Sequence, residues 1–363
     1  MRSEKKNTLI SILSIILIFC VSVSALELIN ANTNSNRFEN GAIVSILSGN
    51  VEFLWNDTRI FADRTIWRRG TGHLQMFGNI KVLRNKQELR CDTTEFRSSG
   101  KTLQLRGKVF GVDTNYCATM LAGKADYSIR NDSVFLSVKP KIHFWDSTTT
   151  DTITIISKTM NYTSKTGIAK ADNNVKITGT DFVAFADTGF YFAQTERGLM
   201  VGNPRIEYQD NSSVSGDTIH IIFKDNALTE FYVVGNPIGK TKEEENGDST
   251  FMELTGDTIR FLLGDGQIDQ IISEKNAQIK RFRQGKEETA DKMWGKRIVT
   301  TLNCEDCGEG NKVLSVVSGN AKAIYFDGGT RNESAGDSLK LFFDDNGVTK
   351  VQILGKVKGR VEN

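Results

Sequence analysis

Short runs of alternating apolar and polar residues, separated by turn residues, occupy most of the chain. The clearest runs follow the three steps Gly216-Asp217-Thr218, Gly256-Asp257-Thr258 and Gly336-Asp337-Ser338. After each step come an alternating run, a turn containing Gly, Asn or Asp, and a second alternating run. A period of two predicts β-strands, and two such runs around a short turn predict a β-hairpin. The pattern therefore predicts an all-β protein built of repeated antiparallel hairpins.

The repeated units have a regular spacing in the first part of the chain. Gly49, Gly78 and Gly107 follow one another at intervals of 29 residues, and Asp63 and Asp92 keep the same interval. Two landmarks with one period indicate duplication of a structural unit. We extend the aspartate series to later units at Asp126, Asp187, Asp217, Asp257 and Asp337.

Some segments do not follow the repeat. Residues 26–41 are polar and Asn-rich, and we interpret them as a loose lead-in to an array that begins at residues 48–53. Polar segments at 241–250 and 284–310 lengthen the later units, and we place both at hairpin tips, where added length has little effect on stability. We divide the mature chain into two continuous segments, 26–240 and 241–363.

One face of the predicted strands is apolar, and the other face carries residues such as His220, Arg260 and Lys340. This pattern is typical of a sheet folded over a single interior. Such an interior either closes on its own side chains or leaves a slot for an apolar ligand. The candidate positions for lining a slot are Ile219, Ile221, Phe223, Phe231, Val233, Ile259, Phe261, Leu263, Ile271, Leu339, Leu341, Phe343, Val351 and Ile353.

The N-terminus has the pattern of an export signal. Arg2, Lys5 and Lys6 precede an apolar stretch at 9–23, and small residues lead to a predicted cleavage site after Ala25. The sequence thus predicts a signal peptide at 1–25 and a periplasmic location. The alternative is an uncleaved anchor in the inner membrane, although the stretch is short for a spanning helix.

Charge and composition narrow the functional classes. The chain contains 46 Lys and Arg against 44 Asp and Glu. Removal of residues 1–25 leaves the two signs equal in number, whereas a nucleic-acid-binding protein normally carries a basic excess. We therefore predict no nucleic-acid partner.

Four cysteines follow the signal, and an even number in an exported chain is compatible with disulfides. Cys304 and Cys307 lie in a Gly- and Asn-rich loop, which does not fit a redox pair at a helix N-terminus. A zinc site would need two further ligands that are not nearby. Structural disulfides, with Cys91 and Cys117 as the other candidates, and idle thiols both remain open.

The residues give no indication of catalysis. His73, His143 and His220 are scattered, and no Ser/His/Asp or Cys/His spacing accompanies them. The repeated aspartates fit strand-initiating turns, in which the carboxylate accepts backbone N–H groups, better than a calcium site. We predict no enzyme activity, no metal and no cofactor.

The series of Asp-Thr-Ile runs, turns and Gly-Asn steps resembles the OstA-like family. The resemblance rests on Gly49-Asn50-Val51, Gly78-Asn79-Ile80 and the three Gly-Asp steps, and it covers most of residues 48–363. The family includes the periplasmic lipopolysaccharide-transport bridge protein and the N-terminal domain of the outer-membrane translocon. It implies an elongated, open β-jellyroll whose apolar groove carries lipid acyl chains.

The resemblance also implies partners. We expect lipopolysaccharide or a related glycolipid as ligand, and other β-jellyroll components of a transport complex as neighbours. Unpaired edges at residues 48–53 and 355–359 would also permit head-to-tail self-association. The alternative is a structural or adhesive β-repeat protein of the envelope that has no lipid ligand.

Overall fold

A computed structural model gives the structure and describes residues 26–146, 151–209, 212–245, 248–302, 304, 307, 312–327, 329–344 and 347–362. The predicted signal peptide lies outside the described residues. The strands pair with one another in antiparallel fashion, as in the hairpins Thr33–Glu39 with Ala42–Trp55 and Gln87–Arg97 with Thr102–Asp113. The predicted all-β fold of repeated antiparallel hairpins is confirmed.

The strands in chain order are β1 (Glu27–Asn30), β2 (Thr33–Glu39), β3 (Ala42–Trp55), β4 (Thr58–Arg68), β5 (His73–Arg84), β6 (Gln87–Arg97), β7 (Thr102–Asp113), β8 (Ala118–Ser128), β9 (Ser133–Ser137), β10 (Lys141–Trp145), β11 (Thr152–Ile156), β12 (Thr159–Thr163), β13 (Ile168–Thr178), β14 (Phe182–Phe192), β15 (Arg197–Val201), β16 (Arg205–Tyr208), β17 (Ser212–Ser215), β18 (Thr218–Lys224), β19 (Ala227–Val234), β20 (Ile238–Glu245), β21 (Asp248–Thr255), β22 (Thr258–Gly264), β23 (Gln267–Arg283), β24 (Asp291–Thr301), β25 (Val313–Asp327), β26 (Thr330–Asp344), β27 (Gly347–Leu354) and β28 (Lys358–Glu362). Two single-turn 3-10 helices span Arg69–Thr71 and Glu287–Thr289.

The chain passes back and forth between two layers of strands. A long strand such as β4 contributes one half to each layer, and its register with β5 shifts at the point of crossing. Layer A holds the described residues within 33–48, 64–77, 93–106, 124–137, 159–172, 188–201, 218–234, 258–274, 297–318 and 338–354. Layer B holds those within 27–30, 51–62, 80–91, 109–122, 141–156, 175–186, 205–215, 238–255, 277–295, 321–336 and 358–362.

Every second crossing is a corner made by two consecutive residues in the left-handed backbone region, whereas the crossings between them, such as that of β4 at Asp63, have no positive φ. At the corner of β5, Gly78 has φ 74° and Asn79 has φ 45°. Gly and Asn tolerate positive φ better than other residues do, so the repeated Gly-Asn step marks the place where a strand turns from one layer into the other. Comparable pairs are Gly49-Asn50, Gly107-Lys108, Val138-Lys139, Asn173-Asn174, Gly202-Asn203, Gly235-Asn236, Lys275-Asn276, Gly319-Asn320 and Gly355-Lys356.

The repeated aspartates lie beside these corners, on the neighbouring strand. Asn79 Nδ2 donates to Asp63 Oδ2 at 2.8 Å, and a Cβ atom on Gly78 would collide with the same carboxylate. The same amide-to-carboxylate bond joins Asn203 to Asp187, Asn236 to Asp217 and Asn276 to Asp257, at 3.1–3.2 Å. The prediction that these carboxylates accept backbone N–H groups at strand-initiating turns was wrong, because they accept the side chain of the adjacent corner.

Asp126 does not belong to this series. The crossing of β8 lies at Gly123, whose backbone N–H donates to Val138 O at 2.8 Å. Asp126 pairs with Gln104 in the middle of a half-strand and is exposed. The sequence interpretation assigned the crossing of this unit to Asp126, three residues after its actual position at Gly123. The reason is that this crossing carries glycine where most units carry aspartate.

The predicted lead-in is part of the sheet. β2 pairs with the first half of β3, and β1 pairs with its second half. Residues 48–53 therefore have strands on both sides and are not an edge, contrary to the prediction. β2 escaped the sequence interpretation because its residues are almost all exposed, so apolar alternation does not mark it. The strand is held by its backbone pairing with β3 and by side-chain bonds such as the one that the Ser45 hydroxyl donates to Asn36 Oδ1 at 2.7 Å.

The two polar segments differ from each other. Residues 241–245 and 248–250 pair with one another at the end of the hairpin between β20 and β21, where Glu245 pairs with Asp248, so the placement of this segment at a tip is confirmed. Residues 284–310 include all of β24, so their assignment to a single tip was wrong. A crossing between the layers at Gly295-Lys296 interrupts the alternation of apolar and polar residues in β24. The strand is therefore difficult to recognise from the sequence.

The apolar core fills the space between the layers along the whole stack. Its largest fully buried side chains include Phe53, Phe96, Phe144, Tyr162, Tyr191, Tyr208, Phe231, Phe261 and Phe343. Burial of apolar area contributes about 25 cal/mol per Å², so this shared interior is the main force holding the layers together. The predicted division at residue 240 stays a prediction. β20 spans that position and pairs on both sides.

The substitution Gly78→Ala tests how much the corner of β5 contributes to the stability of the fold. Positive φ and the nearby Asp63 carboxylate both oppose a side chain here, so we expect the free energy of unfolding to fall by about 2–4 kcal/mol. Urea denaturation measures the change.

Gly41→Ala is the matched control, because Gly41 also has positive φ but a methyl group added to it would meet no other atom within 4 Å. We expect this variant to lose only about 1 kcal/mol. Equal losses in the two variants would contradict a role for the carboxylate contact.

Candidate functional site

The interior between the two layers contains all fourteen predicted slot residues, and every one of them lies in layer A. Leu263, Val351 and Ile353 are partly buried and pack against the core. The other eleven are at most 4% exposed: Ile219, Ile221, Phe223, Phe231, Val233, Ile259, Phe261, Ile271, Leu339, Leu341 and Phe343. The predicted residues thus form one wall of the interior. Contact with lipid at these positions stays a prediction.

The sequence interpretation missed the opposite wall. In the same part of the stack, layer B contributes the buried residues Ile206, Tyr208, Val214, Met252, Leu254, Ile279 and Met293. The signal that could have revealed this wall is the Gly-Asn step. The alternation of apolar residues restarts after each such step and continues into the second layer. The run Phe251-Met252-Glu253-Leu254 shows it, with Met252 and Leu254 buried.

Aromatic rings connect the two walls. Phe144 of layer B lies 4.4 Å from Tyr191 of layer A, measured between ring centroids. Phe182 of layer B lies 5.7 Å from Phe223 of layer A, and Tyr208 of layer B lies 6.3 Å from Phe231. Aromatic pairs at these distances stabilise beyond their buried area. The middle of the interior is therefore both wide and strongly apolar.

Towards the last strands the interior becomes smaller and more polar. Thr300 and Ser315 face inward from layer A, and their hydroxyl oxygens lie 2.9 Å apart. From layer B the small residues Ala277, Ala321 and Ala323 face them. The character of the interior thus changes along the stack from aromatic to small and hydroxyl-bearing.

Two charged residues of layer B are buried in this last part. The Arg281 guanidinium lies 4.8 Å from the ring centroid of Phe343 and donates to Asp344 O at 3.3 Å. Asp291, the register partner of Arg281, accepts the backbone N–H of Phe326 at 3.1 Å. Burial raises the pKa of Asp291 to about 6, although the Phe326 N–H and Arg281 both oppose that rise.

The corners close one long side of the interior, and the hairpin tips of the two layers face each other along the other side, which we call the mouth. Arg84, at a layer B tip, donates to Ile129 O of layer A at 2.9 Å and lies 3.3 Å from the Asp132 carboxylate. Burial alone would lower the pKa of Arg84, but its bonds to Tyr127 and Asp57 raise it above the usual value.

Further side-chain bonds cross the mouth along the stack. Tyr162 of layer A donates to Asp113 of layer B at 3.1 Å, and Tyr208 of layer B donates to Gly266 O of layer A at 2.6 Å. Burial raises the pKa of Tyr208 to about 12, so this hydroxyl keeps its proton at neutral pH. Among the described residues, no backbone-to-backbone hydrogen bond crosses the mouth. The tips are therefore held by individual side chains, which we call latches.

The cysteines are placed as follows. Cys304 and Cys307 form a disulfide within the loop between β24 and β25. Cys91 and Cys117 are free thiols, the first buried in β6 and the second in the turn between β7 and β8. Burial raises the pKa of the Cys91 thiol to about 12, so it is unreactive at neutral pH.

The histidines have separate structural partners. His73 lies 2.6 Å from the Glu95 carboxylate, and His220 stacks on Tyr232 with ring centroids 4.5 Å apart. Within the described ranges, no three or more His, Cys, Asp or Glu side chains are grouped to hold a metal ion. In the same ranges, no helix has the length and apolar character needed to cross a membrane.

The two-layered stack of hairpins around an apolar interior defines a protein of the β-jellyroll class. The sequence profile of the family described as LptA/(LptD N-terminal domain) LPS transport protein matches residues 28–226. The chain belongs to this family, which confirms the resemblance stated above and places the protein at family level in lipopolysaccharide transport.

Two other comparisons add little. The crystal structure of LptH from Pseudomonas aeruginosa, described as the LptA-homologous periplasmic component of the lipopolysaccharide transport device, is 17% identical. That similarity covers 32% of this chain and 73% of LptH, with a TM-score of 0.27. Comparison with curated protein sequences gives no significant match.

Asp291 generates a test of the polar end of the interior. A carboxyl group with a raised pKa binds more protons in the folded state, so between about pH 4 and 6 the free energy of unfolding decreases as pH rises. Asp291→Asn has no carboxyl group to ionise, so its free energy of unfolding does not decrease in this way as pH rises. We expect the variant to gain on the order of 1–3 kcal/mol over the wild type at pH 7.5, and much less at pH 4.

Urea denaturation at the two pH values measures the difference. Asp327→Asn, at the exposed end of β25, is the control for loss of a carboxylate at the surface. An Asp291→Asn variant that is less stable than the wild type at pH 7.5 would show that the ionised carboxylate stabilises the fold through Arg281.

Proposed function

We propose that the interior between layers A and B carries the acyl chains of lipopolysaccharide or a related glycolipid, and that the protein is a periplasmic bridge or adaptor towards the outer membrane. The observation that carries the proposal is an apolar interior whose mouth is held only by side-chain latches. Family membership in lipopolysaccharide transport supports the choice of ligand. In this role the protein has no catalytic step.

The energetics favour an apolar ligand. An acyl chain that leaves water gains about 0.8 kcal/mol for each CH₂ group it buries, with no need for directional contacts. The aromatic middle of the interior, around Phe223, Phe231 and Phe261, offers buried rings as an apolar surface for such a chain. A chain inserted there separates rings that otherwise contact one another.

Entry through the mouth requires the tips to part. The Tyr208 bond to Gly266 and the Arg84 bond to Ile129 must break, while the corners on the opposite side stay covalently continuous. Each latch contributes about 1 kcal/mol or somewhat more, so thermal motion is sufficient to open a single level. The bulky saccharide of the glycolipid then stays outside, at the line of the tips.

A second candidate is a structural or adhesive β-repeat protein of the envelope. The observation that favours it is the dense packing of the interior by its own rings, such as the stack of Phe231 on Phe261 at 4.6 Å. In that case the latches never open, and the apolar residues serve stability alone.

Further parts of the proposal concern partners and location. Cleavage after Ala25 would release the mature chain into the periplasm. Other β-jellyroll components of a transport complex, or further copies of this chain, are the proposed neighbours at the ends of the stack. Pairing of an edge strand would continue both the sheet and the interior from one protein into the next.

Photo-crosslinking tests the ligand. Crosslinkers at Phe223, Phe261 and Phe343 are expected to capture lipopolysaccharide, because these side chains face the interior. The matched positions His220, Arg260 and Lys340 lie on the same strands but face outward, and we expect little capture there. Capture that is equal on both faces, or absent from the interior set, would favour the structural alternative.

The latches generate a kinetic test. Tyr208→Phe and Arg84→Gln each remove a bond across the mouth, so we expect association of fluorescent lipopolysaccharide to become about fivefold faster, corresponding to about 1 kcal/mol. Arg59→Gln is the matched control, because Arg59 pairs with Glu52 on the outer face of layer B and does not reach the mouth. Unchanged association in both latch variants would exclude entry through the mouth.

A further inference from the structure

A cleft of about 880 Å³ lies on the outer face of layer B, separate from the interior. It crosses β23, β24, β25, β26 and β28 close to their corners. Its side chains alternate with those of the core, so Lys322 lines the cleft while its neighbours Ala321 and Ala323 are buried. The function proposed above does not use this surface.

The shape of the cleft follows from the register of the strands. Trp294 pairs with Lys322, Lys322 pairs with Ala335, and Ala335 pairs with Lys358. These four residues form one row across four neighbouring strands. The small Ala335 side chain leaves a depression between two lysines whose backbones are about 9–10 Å apart, that is, two strand spacings. The indole of Trp294 stands at the end of the row.

The charge of the cleft is strongly positive. Its lining contains Lys296, Lys322, Lys358 and Arg360, and its acidic residue, Glu333, already pairs with Arg331. Over the part of the chain that the structure describes, Lys296, Lys322 and Lys358 make no ion pair.

Several cations elsewhere on the outer faces are paired within or between strands, although others, such as Lys340, make no ion pair with the described residues. Examples are Lys170 with Asp172, Arg205 with Glu207 and Lys240 with Glu253. The chain as a whole is nearly neutral. The cleft is therefore a local concentration of positive charge that an anionic ligand would neutralise.

The other groups of the lining indicate which anion. Lysine ammonium groups bind phosphate as compact point charges. Two side-chain amides, Gln278 and Asn320, line the same cleft and match the hydroxyl groups of a sugar, and Asn276 lines it as well while its Nδ2 donates to Asp257. The Trp294 ring provides a flat apolar surface for a sugar ring, with its polar N–H at one edge.

We propose that this cleft binds a phosphorylated saccharide, in the form of the headgroup of a glycolipid held outside the interior. The choice of a glycolipid as the source of the saccharide rests on the proposed function, whereas the charge and lining of the cleft do not. Because the cleft lies close to the corners, on the side of the stack away from the mouth, it would hold the headgroup of a different glycolipid molecule from the one whose acyl chains enter through the mouth.

The test uses a deacylated, phosphorylated saccharide prepared from lipopolysaccharide, titrated calorimetrically into the full mature protein. Without acyl chains this probe has no affinity for the apolar interior, so the result is independent of the crosslinking outcome. We expect Lys322→Glu combined with Lys358→Glu to weaken binding at least about tenfold, and Trp294→Ala to weaken it severalfold. Binding by the wild type is also expected to weaken as salt is raised.

The matched control is Lys340→Glu combined with Lys350→Glu, which reverses two outer-face charges of layer A in β26 and β27. We expect this variant to bind like the wild type, and circular dichroism verifies that both double variants keep their β-structure. The dephosphorylated saccharide is expected to bind much more weakly.

Three results would overturn the proposal. The first is equal weakening by both double variants, and the second is equal binding of the phosphorylated and dephosphorylated saccharides. The third is equally tight binding of a polyglutamate peptide through the same lysines, which would assign the cleft to an acidic protein partner. If lipopolysaccharide is not captured by crosslinkers in the interior but the saccharide still binds, the proposal that the interior carries acyl chains is wrong. The proposal for the cleft is then supported independently.

Discussion

The fold depends on the left-handed corner that the chain makes at every second crossing between the layers. Two consecutive residues with positive φ are unfavourable for most side chains, and the chain meets this requirement with Gly and Asn in most units. The neighbouring aspartate then binds the corner amide, as Asp217 binds Asn236. Because each corner carries the chain from one layer into the other, the two layers share one interior over the whole stack.

Sequence reasoning found the elements of this arrangement but not their geometry. Alternation and the repeated glycines were enough to predict hairpins, their phase and one wall of the interior. The same glycines were interpreted as ordinary turn residues, and therefore the second wall, with Met252 and Leu254, went unnoticed. A corner inside a strand resembles a turn between strands, because both use Gly and Asn, and the distinction requires knowing which residues pair across it.

The errors at β2 and β24 have different physical causes. The side chains of β2 show little of the alternation from which strands are inferred, whereas β24 alternates on both sides of a crossing that breaks the pattern. β2 is exposed along nearly its whole length, and β24 is interrupted by Gly295. The latches across the mouth could not be predicted from the sequence either. Their partners, such as Arg84 and Ile129, come from different layers and different units.

The latches stand at separate levels of a stack in which each unit contacts mainly its neighbours. Breaking the bond of Tyr208 to Gly266 therefore does not require breaking that of Tyr162 to Asp113, which lies units away along the stack. In the proposed function, one level of the interior would therefore open while its neighbours stay closed. A lipid would then pass along the stack by local opening of successive levels, with most of the interior closed at every moment.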